Sequence, residues 1–168
     1  MMTIVITFMV VLTIISFTVV CLYYYKYRFK FPFKDTMGEV GLPIVSFEQN
    51  GKSFNFIIDS GADASLINTS SLTNLEYTKL EGNRYVYGID GTPVQISYVG
   101  IKLFSQNHKF VEAFQVFDAP GLHNIEQAHN IEIAGILGSA FLRRYEFLID
   151  YKQLKAYTNG KESKIANT

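Results

Sequence analysis

The stretch FIIDSGADASLIN, Phe56 to Asn68, decides how the rest of the chain is read. Three large apolar residues run into Asp59, then Ser60 and Gly61, and the chain turns apolar again at Leu66 and Ile67. A carboxylate at the end of an apolar strand is costly to leave unpaired. One reading makes Asp59 the cap of a turn, since Asp, Ser and Gly all form turns. The other makes the strand a device for bringing a carboxylate to a working position. A second motif bears on the choice: AGILGSAFL, Ala134 to Leu142, is an apolar pair closed by Gly138 and followed by a short helical pattern.

Composition narrows the classes around these motifs. The 168 residues suffice for one domain of ordinary size. Lys+Arg and Asp+Glu are both 15, so no net charge attracts nucleic acid. Cys21 is the only cysteine, which excludes a disulfide framework and a Cys-rich metal site. Trp is absent, while 14 Phe and 11 Tyr suit strands.

The N-terminus has a different character. No charged side chain occurs from Met1 to Tyr25, long enough for a helix to cross the roughly 30 Å hydrocarbon layer. Tyr23, Tyr24 and Tyr25 stand where an aromatic belt belongs, and Lys26, Arg28, Lys30 and Lys34 follow before the first acid, Asp35. A cleaved signal peptide would carry its positive charge before the apolar run and small residues at its end, and this chain does neither. Residues 1–25 are therefore expected to be a transmembrane helix and 26–40 a basic juxtamembrane linker. The positive-inside rule puts the following domain in the cytoplasm, with an extracytoplasmic domain as the alternative.

From residue 41 the pattern is that of strands. LPIVSFE and SFNFIID flank the hairpin signal Asn50-Gly51, and NRYVYGI and TPVQISYVGIKLF flank Asp90-Gly91. KFVEAFQVFD reads as a further strand, HNIEQAHNIE as a short helix or loop, SAFLRRY as helical turns, and EFLIDY with LKAYT as a last strand pair. The tail 159–168 is polar. Three other patterns are set aside. Gly51-Lys52-Ser53 lacks the upstream glycine and following helix of a phosphate loop. His123, Glu126 and His129 are poorly focused for a metal. Asn68-Thr69-Ser70 is a glycosylation triplet common by chance.

Taken together, the motifs resemble those of the retropepsin-like aspartic proteases over roughly Gly41 to Tyr157. Ile57, Ile58, Asp59, Ser60, Gly61 and Ala62 match that family's apolar-apolar-Asp-Thr/Ser-Gly-Ala; YVYGIDGTPVQI stands where its flap hairpin belongs; Ile136, Leu137 and Gly138 match its apolar-apolar-Gly motif before a short helix. The resemblance implies a mainly β fold, a closed β-barrel protomer with one short helix spanning 41–158. It implies a membrane-anchored aspartic endopeptidase in which two carboxylates share one proton. The chain carries one D-[S/T]-G, so a homodimer is expected, with Asp59 from each chain at the axis. Asp59, Ser60 and Gly61 are the expected catalytic residues, with Ser60 bonding across the dimer and Gly61 letting the backbone turn and approach the substrate. Ala62, Asp63, Tyr87, Gly88 and Ile89 are expected to bind the peptide, and Ile136, Leu137 and Gly138 to support the active loop. In retroviral members the acid at the position of Asp63 pairs with an Arg just after the last motif; here Ser139 and Ala140 stand there, leaving Arg143 or Arg144 as substitutes. No metal or other cofactor is expected. The partners are a peptide or protein substrate, a second copy and the lipid membrane. The competing readings are a non-catalytic module of the same fold that holds peptides or proteins, and a structural membrane protein whose DSG is only a turn.

Overall fold

The computed structural model describes residues 2–26, 29–32, 41–87, 93–106 and 108–158. Helix α1, Met2–Lys26, is apolar on every side. Its Thr3–Tyr25 segment has a mean hydropathy of 2.8 and none of it is buried against the protein. Thr7, Thr13 and Thr18 donate their hydroxyls to the carbonyls four residues back, at 2.8–2.9 Å. That satisfies these three hydroxyls without water. By length and composition this helix can cross a membrane.

Strands β2 (Ile44–Gln49) and β3 (Lys52–Ile58) form the first hairpin. Its turn residues Asn50 and Gly51 have φ of 52° and 74°, the positive pair that an Asn-Gly hairpin turn requires. β4 (Leu66–Asn68) follows the DSGA loop, and β5 (Tyr77–Tyr87), β6 (Pro93–Ser105) and β7 (His108–Phe117) form an antiparallel meander. β8 (Gly135–Leu137) inserts between β3 and β4, parallel to the first and antiparallel to the second. The order is β2-β3-β8-β4-β7-β6-β5, and β2 also meets β6 at Glu48↔Phe104. Six strands thus close a barrel, with β5 outside on β6. The seam rests on Gln49, whose side chain is buried. Its amide donates to Glu76 O and Lys102 O and accepts from Glu76 N.

The barrel is filled by phenylalanines of opposite strands. Phe47 meets Phe110 edge-on at 5.2 Å between centroids, and Phe56 meets Phe114 at 5.7 Å. All four are fully buried, in the edge-on and tilted geometries that aromatic pairs prefer. The period-two alternation of β7 puts Phe110, Glu112 and Phe114 inward.

The expected mainly β barrel is what the chain forms, and among the described residues its domain carries two α-helices, one more than the short helix expected. α2, Pro120–His129, begins with Pro in its first turn and ends at Asn130 in the left-handed conformation, φ 50°. α3, Ser139–Arg144, is the short helix after Gly138. The linker 26–40 also contains structure. β1, Phe29–Pro32, pairs antiparallel with β10 (Lys155–Thr158), which pairs in turn with β9 (Leu148–Asp150). β1 is an edge strand, where its terminal Pro32 is tolerated. The glycosylation triplet is disposed of by burial, since Asn68 is 2% exposed. Gly88, Ile89, the Asp90-Gly91 turn and the tail 159–168 lie outside the described residues.

Candidate active site

The two motifs that the sequence separates lie side by side. β3 and β8 run parallel with Phe56↔Gly135, Ile57↔Ile136 and Ile58↔Leu137 in register. Both strands therefore end at the same level, and the ladder continues one step into the loop, where Asp59 N donates to Leu137 O at 3.1 Å. From there the loop folds over the start of α3. Ser139 N donates to Ala62 O at 2.7 Å, Ala140 N to Asp63 O at 3.2 Å, and Ser139 Oγ to Asp63 O at 3.3 Å. α3 thus spends its first free N–H groups on the loop's carbonyls, satisfying both.

Asp59 is half-buried, and Gly61 N donates to its Oδ1 at 2.8 Å. Ser60 and Gly61 are exposed. Gly61 has no positive φ, so its backbone conformation does not itself require glycine. A Cβ there would stand 3.2 Å from Asp59 Oδ1, so its bareness leaves room beside the carboxylate. Gly138 shows a sharper constraint, because a Cβ would meet Ala64 O at 2.5 Å and Ala62 O at 2.9 Å. Leu137 is fully buried in the main core, while Ile136 faces the smaller cluster of Ile44, Ile57, Leu122 and Ile133. Tyr87 pairs with Pro93 through the backbone as the last described rung of the β5–β6 hairpin.

Of the two arginines suggested for Asp63, Arg144 is engaged elsewhere, and no ion pair joins Arg143 to Asp63 among the described residues. Arg144 donates to Glu112 Oε2 at 2.6 Å and to Val111 O at 3.3 Å. Among the described residues the Asp63 carboxylate has no ion-pair partner, and Asp63 is exposed. Glu112 is 4% exposed and Arg144 37%, so the arginine's field is partly screened by solvent while the carboxylate is not hydrated. Burial therefore outweighs the charge opposite and pushes the Glu112 pKa up, with Arg144 and a hydrogen bond from Ser65 opposing. Ser65, fully buried, also accepts from Gly138 N at 3.2 Å. A chain of contacts thus runs from the mouth of α3 through Ser65 to Glu112 and Arg144.

Ser65 and Glu112 were not singled out from the sequence. Glu112 had a visible signal: it occupies an inward phase of β7, between Phe110 and Phe114, where an acid needs a partner. Ser65 had none, being one small polar residue in a loop of them. A cleft of about 300 Å³ opens between Asp63 and Ala64 of the loop, Leu80 and Tyr98 of the hairpin strands, and Gln115 and Arg144. The triad His123, Glu126, His129 forms no metal cluster among the described residues; Glu126 instead accepts from Ile133 N at 2.7 Å.

No curated protein matches the chain. Among solved structures, the EIAV protease complexed with the inhibitor HBY-793 is similar to it with a TM-score of 0.44 and 22% identity, over 61% of this chain and 86% of that one. The aspartyl protease family matches residues 45–141, from the first barrel strand through both motifs into α3, more than half of the 168 residues. The chain therefore belongs to the aspartyl protease family.

Proposed function

We propose that the protein is a membrane-anchored aspartic endopeptidase that works as a homodimer. The observation that carries this reading is the parallel register of β3 and β8. It holds Asp59 at a strand end with a Gly61 N–H on one oxygen and leaves the residues beside it open to a second copy. In the dimer the two Asp59 carboxylates share one proton, because two close anions cannot both persist. The ionised one takes a proton from water as the water oxygen bonds the scissile carbonyl carbon. The protonated one gives its proton to the carbonyl oxygen. The tetrahedral intermediate collapses when the amide nitrogen takes the first carboxyl's proton, the C–N bond breaks, and a hydroxyl proton returns to the second carboxylate.

In this reading Ser60 bonds across the dimer, and Ala62, Asp63 and the β5–β6 hairpin with Tyr87, Gly88 and Ile89 hold an extended peptide along the cleft. Ile136, Leu137 and Gly138 fix the loop from below. α1 anchors the enzyme, and the basic flank after it orients the domain to the cytoplasm.

The test is stoichiometric. Asp59→Asn should fold but lose cleavage of a mixed peptide library by at least about 10²-fold. Full-length wild type and Asp59→Asn, mixed equally and fully exchanged in detergent, should retain about one quarter of the activity, because random pairing leaves that share of dimers with two aspartates. Retention of one half would mean that Asp59 works without a second copy.

A further inference from the structure

The pairing of β1 with β10 sets how far the enzyme can stand from its membrane. Without that pairing, Lys26 and the barrel's first residue, Gly41, could lie roughly 50 Å apart, a loose leash. With it, only Tyr27 and Arg28 separate α1 from β1. Three Cα–Cα steps then hold Phe29 within about 11 Å of Lys26, whatever path the two residues take.

β1 is fastened to the body of the protein. It pairs with β10 over four residues, Phe29↔Thr158 to Pro32↔Lys155. β10 is rooted in the core, since Ala156 and Thr158 are fully buried and the Thr158 hydroxyl donates to Tyr145 O. Tyr145 in turn packs on Phe110 and Phe141. A compact domain of this size is about 35 Å across, so every atom of it lies within about 45 Å of the end of α1.

We propose that the substrates are other membrane-anchored chains, cut in their juxtamembrane segments within about 45 Å of the bilayer. This rests on the membrane-anchored protease reading and assigns that site its substrate class. A bond held farther out is beyond reach, however good its sequence. An unanchored peptide is disfavoured because it lacks the concentration that two-dimensional confinement gives a membrane-bound one.

The experiment reconstitutes the full chain in vesicles with a single-pass reporter. The cleavable sequence is one that the full-length enzyme cuts from a random peptide library in detergent. It is placed either about ten residues from the reporter's helix or beyond a semi-rigid (EAAAK) spacer of forty residues, about 60 Å when helical. The near site should be cut at least tenfold faster than the far one in vesicles, and both at equal rates in detergent. A variant with sixty Gly/Ser residues inserted between Lys26 and Phe29 adds roughly 40 Å of root-mean-square reach and should bring the two rates in vesicles within about threefold. Equal cutting of near and far sites by wild type in vesicles would overturn the substrate class while leaving the protease intact. So would an insertion variant that keeps the full preference in vesicles while active in detergent. Absence of cutting in detergent, or undiminished cutting by Asp59→Asn, would instead remove the protease reading and this inference with it.

Discussion

Replacing Gly138 by Ala tests the joint between the two motifs. Its backbone, φ −83° and ψ 174°, is open to any residue, so alanine meets no conformational penalty. The obstacle is contact. The new Cβ would stand 2.5 Å from Ala64 O, 2.6 Å from Ala64 C and 2.9 Å from Ala62 O, all backbone atoms, where ordinary contact begins at 3.4 Å. The loop must retreat by about 0.9 Å, an overpacking that costs roughly 1–3 kcal/mol. Retreat also lengthens Ser139 N to Ala62 O from 2.7 Å, worth about 1 kcal/mol more. A total of about 2–4 kcal/mol lowers the melting temperature of a domain this size by roughly 8–16 °C. Because the same loop carries Asp59, a displacement near 1 Å should cut kcat about 10²-fold. The assay is thermal unfolding and peptide hydrolysis by the full chain in detergent. Gly121→Ala is the control, since nothing lies within 4 Å of its new Cβ, and it should be neutral or up to about 1 kcal/mol stabilising. If Gly138→Ala melts and cuts like wild type, the loop is not held against α3 as described.

Three further outcomes are expected. Gln49→Leu leaves two carbonyls and one N–H without their partner at the barrel seam, and chemical denaturation should show a loss of about 2–4 kcal/mol. Glu112→Gln should flatten the pH dependence of stability: burial raises the Glu112 pKa, so its contribution is full below the ordinary value of about 4.3 and is lost as pH rises through the raised one. Wild type should thus lose stability relative to the variant over that window, and parallel curves would contradict it. On the proposed topology a reporter fused after Thr168 should behave as cytoplasmic in cells, and an extracytoplasmic signal would overturn that proposal.

What the sequence could and could not disclose follows from the range of each interaction. The Asn50-Gly51 hairpin is local, its two positive φ values being written in two adjacent residues. The meander from β5 to β7 is equally local, so its strands are legible as alternating runs. β4 and β8 are three residues each and pair only with distant strands, so no window contains the cause of their structure. β1 is hidden for another reason: Lys30 and the flanking basic residues make FKFP read as part of a charged leash until β10 is seen beside it. Asp59 was legible because its apolar context is in sequence. Its setting was not, since Ser65, Glu112 and the bareness of Gly138 acquire meaning only where three separate segments meet.

Gln49 gives the hairpin over the cleft a fixed fulcrum. Its one side chain grips Glu76 at the root of β5 and Lys102 in β6, so the two legs cannot slide or part where they leave the barrel. Farther up, the β5–β6 register slips between Leu80 and Arg84. Such an irregularity leaves backbone unpaired and bends a ribbon. The hairpin is thus pinned at its base and jointed partway along, and if it covers a bound peptide as proposed, the joint is where it would bend to open. On the proposed reading, stiffening residues 81–83 would slow peptide entry and product exit together, while replacing Gln49 would weaken the hairpin's base and the barrel seam together.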